Sequence, residues 1–206
     1  MRPDTFRQTI LLVILAGLTL GIFACRSAPP PIVYYTLDPL PLSHTNGTAP
    51  AEKAVMQIGV GPVSLPTYLE RSQIVTRSGD HTLAINDFNR WAGPLDEEIL
   101  RVLLVSVGEA LTGAEVLPYP LGRRYDPTHQ VSVTVQRYDA QQGVSVHLRG
   151  SRHLTCHTDP GKNGGRDIEL AEVVAAPTMQ ALVAAQNRAL ADQAGEMVAA
   201  LCDAGE

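Results

Sequence analysis

The clearest order in this chain is a two-residue rhythm. In "QVSVTVQRY", 130–138, Val131, Val133 and Val135 alternate with Ser132, Thr134 and Gln136. "GVSVHLRGSRHLTC", 143–156, repeats the rhythm, with Val144, Val146, Leu148, Leu154 and Cys156 on one parity. Successive side chains of a strand point to opposite faces, so alternation of this length predicts antiparallel strands with one buried face. "RDIELAEVV", 166–174, follows an Asp159-Pro160-Gly161 turn and predicts a third strand of the same meander. Four earlier segments rich in β-branched and aromatic residues predict further strands: 32–37, 54–60 (closed by Gly61-Pro62), 72–77 and 81–85. The last two form a hairpin across Ser78-Gly79-Asp80, and a short strand is expected near 115–117.

Twice the period changes. Leu95, Ile99, Val102, Leu103, Ser106 and Ala110 recur at helical spacing, behind Gly93-Pro94 and the acidic run Asp96-Glu97-Glu98. Proline suits a first helical turn, and carboxylates there favour the positive end of the helix dipole. Leu100, Leu104, Val107 and Leu111 add a second apolar stripe, so a largely buried helix is expected over about 93–112. Met179, Leu182, Val183, Leu190, Ala194, Met197 and Leu201 mark one face of a second helix, about 178–202, which Thr178 can cap. Strands, helix, strands, helix is the order of a single α+β (mixed α/β) domain over 32–206. Its sheet is expected to be mostly antiparallel, with two main helices covering one or both faces.

The N-terminus has no such rhythm. Residues 10–24 are almost wholly apolar, follow Arg2 and Arg7, and stop at Cys25 before "RSAPPP". The run is shorter than the roughly 20 residues that span a bilayer. A positive start, an apolar stretch and a small residue, Ala24, at the boundary describe a secretory signal peptide over 1–24. Ile22, Ala24 and Cys25 at positions −3, −1 and +1 also resemble the lipobox of bacterial lipoproteins. The resemblance implies cleavage before Cys25, a diacylglycerol on its sulfur and an N-acyl chain such as palmitate on the new amine. Each buried methylene contributes about 0.8 kcal/mol, so three chains hold where one binds only marginally. An uncleaved transmembrane anchor and an ordinary cleaved signal are the competing readings. Arg26 in place of Asp resembles the pattern for sorting to the outer membrane, and residues 25–31 form a stiff Pro-rich tether.

Loss of Arg2, Arg7 and Asp4 moves the net charge from −5 to about −6, and there is one tryptophan and no basic stripe. This is not the composition of a nucleic-acid binder. Two cysteines remain beyond Cys25. In an exported protein Cys156 and Cys202 either form a disulfide or stay as small buried thiols. "HLTCH", 153–157, is the only cluster of metal-ligand types, but strand alternation sends His153 and His157 away from Cys156. No GxSxG, HExxH or phosphate-cradling glycine loop is present. Neither an enzyme nor a metal or cofactor site, apart from the covalent lipid, is expected.

Several segments carry a family resemblance: "YYTL", "VGPVSLPTYLERSQIVTR", "NRWAGPLDEEILRVL", "VSVTVQRYD" and the Ala-rich C-terminal helix. They are similar to the PqiC-type family, the ABC-type transport auxiliary lipoproteins of intermembrane MCE-type systems. One departure stands out: where the family strand carries tryptophan, this chain has Arg152 on the inward parity. The resemblance implies a non-catalytic lipoprotein on the periplasmic face of the outer membrane. Such a subunit would dock an MCE-domain tunnel protein for lipid transport and self-associate into a homo-oligomeric ring. The candidate contacts are Leu65, Tyr68, Leu69 and Arg71, in and after a stretch constrained by Pro62 and Pro66, with Arg90 and Trp91. Each could instead pack on the chain's own core. A periplasmic lipid carrier with its own pocket and a structural or pilot lipoprotein are the rival functions. Ten aromatics, of which Phe6 and Phe23 fall in the signal peptide, are few for lining a lipid cavity.

Overall fold

The rhythm of 130–156 becomes the spine of a sheet. A computed structural model describes residues 29–42, 56–120 and 126–205; the expected signal peptide, Cys25 and most of the expected tether lie outside them. Residues Met1–Pro31 and Ile32–Glu206 are separate units, and the second carries the fold. Its elements run β1 (Val33–Tyr35), β2 (Gln57–Ser64), a 3-10 turn (Thr67–Leu69), β3 (Gln73–Gly79) and β4 (Thr82–Trp91). Then follow helix α1 (Leu95–Ala110), β5 (Glu115–Pro118), β6 (His129–Gln141), β7 (Ser145–Cys156), a 3-10 turn (Pro160–Lys162), β8 (Gly164–Val173) and helix α2 (Met179–Gly205).

The eight strands form one mixed sheet. Along one path the order is β1-β4-β3-β6-β2-β5, while β7 and β8 continue from the other side of β6. The long ladders, β6–β7 and β7–β8, are antiparallel, as is β3–β4. The contacts of β1 with β4, of β2 with β5, and of β6 with both β2 and β3 are parallel. β6 can serve two neighbours on one side because it is long: β2 meets its first half and β3 touches it at Ala140.

Both helices lie on one face, packed on each other and on the sheet, α1 over β2 and β5, α2 over β6, β7 and β8. Beneath them Val131, Val133 and Val135 are buried, as are Val146, Leu148 and Leu154. The rhythm of β6 then slips. Its register against β7 shifts between Val135 and Arg137, and this bulge reverses the parity. Tyr138 and Ala140 therefore enter the core, and the Tyr138 hydroxyl donates to the Gln186 carbonyl of α2 at 3.0 Å. Gly150 faces the bulge: a Cβ there would lie 2.1 Å from the Thr134 carbonyl oxygen, so no other residue fits without moving backbone.

Two sequence expectations are corrected. β2 does not close at Gly61-Pro62 but runs on to Ser64, with a register shift against β6 between Val60 and Val63. A bulge absorbs the proline, where it removes no ladder hydrogen bond. β4 does not stop at Ile85 but reaches Trp91, again through an irregular stretch between Asn86 and Arg90. Of the two alternatives left open for the cysteines, the structure has no Cys156–Cys202 disulfide, and Cys156 is a buried thiol. The Cys156 sulfur instead lies 3.4 Å from His129 Nε2 and 3.3 Å from Thr158 Oγ1.

Candidate functional site

The segment "PVSLPTYLERS" leaves β2, makes the 3-10 turn Thr67–Leu69 and enters β3. Val63 and Ser64 still pair with β6, but past them Pro66 stops the segment from continuing as a strand or extending as a helix. Leu69 N–H donates to Pro66 O at 2.8 Å and Arg71 N–H to Leu69 O at 2.8 Å, so the turn satisfies its own backbone. Leu69, 3% exposed, pins it to the core. The Tyr68 hydroxyl reaches Asp139 Oδ2 at 3.4 Å on the helix-free side of the sheet.

Asp139 is the hub of that side. It is fully buried, yet Arg77 of β3 donates to both its oxygens (3.2 and 2.8 Å) and Arg137 donates to one at 2.9 Å. Burial alone would raise its pKa, but the hydrogen bonds and charges of Arg77 and Arg137 outweigh that and hold it below the ordinary aspartate value. The Arg77 pKa rises through the same hydrogen bond, and Tyr68 is raised by burial first and by the nearby Asp139 charge second. One carboxylate thus ties β3, β6 and the 3-10 turn together.

Opposite the turn, "RWAGPLDEE" leads from β4 into α1. Trp91 N–H donates to Ser72 O at 2.6 Å, joining the two segments, and Ala92 N–H donates to Tyr35 O at 2.8 Å. Glu98, an expected dipole carboxylate, also accepts from Leu37 N–H at 3.3 Å and pairs with Arg101 at 2.8 Å. Arg101 in turn donates to the Leu37 carbonyl. Between the segments opens a cleft of about 730 Å³, walled by residues 63–65 and 70–72 on one side and 91–96 on the other. Apolar Val63, Leu65 and the Trp91 edge line it beside charged Glu70, Arg71 and Asp96.

The structure thus gathers only some of the predicted contacts. Leu65, Arg71 and Trp91 line the cleft. Trp91 is at the same time a core plug, 3% exposed. Leu69 belongs to the core, Tyr68 serves the Asp139 hub, and the Arg90 Nε–H caps the Asp87 carbonyl at 3.1 Å. Cys25 lies outside the described residues. Missed from sequence were Asp139, whose outward turn depends on the β6 bulge, and the His129 imidazole against Cys156. Burial lowers the His129 pKa below the ordinary histidine value.

Arg152 occupies its expected inward position, 8% exposed, where its guanidinium pairs with Glu196 of α2. A small cavity of about 150 Å³ adjoins it, bounded also by Leu154, Arg166, Met197 and Asp203. Its cross-strand neighbour is Arg166. Among the described residues no cluster of three or more His, Cys, Asp or Glu could hold a metal ion, and no helix is long and apolar enough to cross a membrane.

A family model for the ABC-type transport auxiliary lipoprotein component matches residues 35–198. The intermembrane transport lipoprotein PqiC of Escherichia coli K12 is 34% identical over 136 residues, covering 65% of this chain and 70% of the relative; PqiC of Shigella flexneri matches equally. A crystal structure of an uncharacterized protein superposes with a TM-score of 0.68 at 21% identity, covering 84% of this chain and 99% of that one. A Xanthomonas campestris protein gives 0.66 at 16%, covering 84% and 97%. At those identities the two structures establish the fold alone.

Proposed function

Because the chain belongs to the family of ABC-type transport auxiliary lipoprotein components, we propose that it is the outer-membrane-anchored docking subunit of an intermembrane lipid transporter. In this reading three acyl chains on Cys25 hold the domain at the periplasmic face. The domain receives the periplasmic end of an MCE-domain protein and performs no chemistry of its own. A ring of several copies would match the open end of a tunnel. The observation that supports the reading is the cleft. Two of the segments that carry the family resemblance, "VSLPTYLERS" and "NRWAGPLDEE", supply its opposite walls.

The walls suit a protein ligand better than an acyl chain. The cleft is open, and Glu70, Arg71 and Asp96 stand beside Leu65, the mixture of an apolar anchor point with a polar rim found at protein interfaces. The turn that presents Leu65 is fixed by Leu69 and Tyr68, so little ordering entropy is lost on binding. The test is a photo-crosslinking residue at Leu65 or Arg71 in intact cells. Capture of an MCE-domain protein is expected, and repeated capture of none sinks the docking role. Palmitate labelling that survives Cys25→Ser would remove the anchor. Native mass spectrometry showing one lipid per chain in stoichiometric amount would favour the carrier instead.

A further inference from the structure

Of the eight large apolar side chains exposed among the described residues, five crowd one corner of the sheet: Ile32, Val33, Tyr34, Ile85 and Phe88. They are 41–61% exposed, Tyr34 the most. Among the described residues β1 is the terminal strand there and pairs with β4 alone, in parallel register Val33 to Asn89 and Tyr34 to Arg90. That register carries Ile32 toward Phe88. No charged residue lies in β1. The far edge is built the other way: β8 carries Arg166, Asp167, Glu169 and Glu172 in its ten residues. Charges on an edge strand are the usual defence against unwanted pairing, and an apolar edge without them needs a cover.

The sequence says what stands nearest. Ile32 follows Cys25 by seven residues, and the six between them, "RSAPPP", can reach about 20 Å when extended. A tether this short keeps β1 within reach of whatever holds the cysteine. Aromatic and basic side chains together favour the headgroup layer of a bilayer, and Tyr34 lies in register beside Arg90. We propose that the β1–β4 corner rests on the membrane, its apolar side chains entering the headgroup layer beside the acylated cysteine. The proposal depends on the anchored reading above. It adds an orientation: the lipid surface lies at the β1 edge and the charged β8 edge points away from it.

The test uses the mature lipidated chain reconstituted in phosphatidylethanolamine and phosphatidylglycerol vesicles. Phe88→Trp adds an exposed indole at the corner, and Val173→Trp adds one on β8, where Val173 is 72% exposed. The native Trp91, 3% exposed, supplies a constant background. Phospholipids with brominated acyl chains should quench most of the emission added by F88W and none of that added by V173W, which aqueous iodide should quench instead. Iodide quenching of F88W without lipid quenching would put the corner in water. Quenching of F88W by neither agent would mean that another protein chain covers it. Either result overturns the proposal. Palmitate incorporation at Cys25, scored on the same preparation, separates failure of the anchor from failure of the orientation.

Discussion

The β6–β7–β8 meander with α2 and the β1–β4–β3 side with its cleft are built on opposite plans. In the meander almost every inward position from Val146 to Cys156 is buried, the one charge among them, Arg152, is paired, and the outer edge is charged. On the other side, strands are interrupted by bulges, a proline-bounded turn replaces pairing, and apolar side chains face outward. Regularity there has been given up where side chains must be presented rather than hidden. On the proposed reading the meander stabilises the molecule and the irregular side receives the partner.

If that division is right, the largest loss of stability should come from the meander. Gly150→Ala places a Cβ 2.1 Å from the Thr134 oxygen, a backbone atom at the heart of the β6 bulge. The strands must separate locally, and a loss of about 3 kcal/mol is expected, at the upper end of overpacking effects. Urea unfolding measures it. A loss below about 0.5 kcal/mol, the range of ordinary surface changes, would show that the bulge is soft and the division false.

Asp139 lies at the seam, so its removal should affect both sides. Asp139→Asn leaves Arg77 and Arg137 without their carboxylate, but their side chains are 22% and 28% exposed and can turn to water. The expected loss is therefore about 2 kcal/mol, below that of a wholly buried pair. Its pH dependence has a definite sign. The folded pKa is depressed, so the contribution is complete above the unfolded value of about 3.9 and disappears as pH falls through the lower folded one. Asp139→Asn should flatten that acid limb. It should also weaken crosslinking from Leu65, because the one amide oxygen cannot accept from Tyr68, Arg77 and Arg137 as the two carboxylate oxygens do, while Leu65 itself is untouched.

How far the sequence could be read follows the same division. Alternation in 130–156 and helical spacing in 95–111 and 179–201 located the meander and both helices to within a few residues, because a single buried face imposes a period. The bulges at Val60–Val63, Asn86–Arg90 and Val135–Arg137 left no periodic trace. They hid the extension of β2 and β4 and the outward turn of Asp139. The Pro62 and Pro66 brackets did mark the cleft wall, although Pro62 itself lies within β2 and only Pro66 ends it. What they could not show was which side chains faced outward: of the six partner candidates, Leu69 and Tyr68 turned out to hold the turn in place.

A smaller effect, of opposite sign, is expected inside the meander half. Gln193 of α2 is 1% exposed, and neither polar atom of its amide finds a hydrogen-bond partner among the described residues. A buried unpaired amide costs about 1–3 kcal/mol. Gln193→Met keeps the shape, removes the polar atoms and should raise stability by about 1 kcal/mol, or the melting temperature by about 2–4 °C for a domain of this size. A fall instead would mean that the amide has a role the helix packing does not reveal.

The smallest stability effects sharpen the contrast most. Arg149 and Arg71 are both exposed arginines, one on β7 and one on the cleft wall. Arg149 pairs with Glu169 at 3.1 Å, but with 52% and 73% of the side chains exposed the pair is well screened. Alanine at either position should change stability by no more than about 0.5 kcal/mol. Thermodynamics alone cannot then tell the two sites apart, and any difference between them must lie in what they touch outside the chain. Arg71→Ala should diminish crosslinking to the partner from Leu65 and Arg149→Ala should leave it unchanged. Equal losses from both would extend the docking surface across the helix-free face into the meander, and the two halves would no longer have separate tasks.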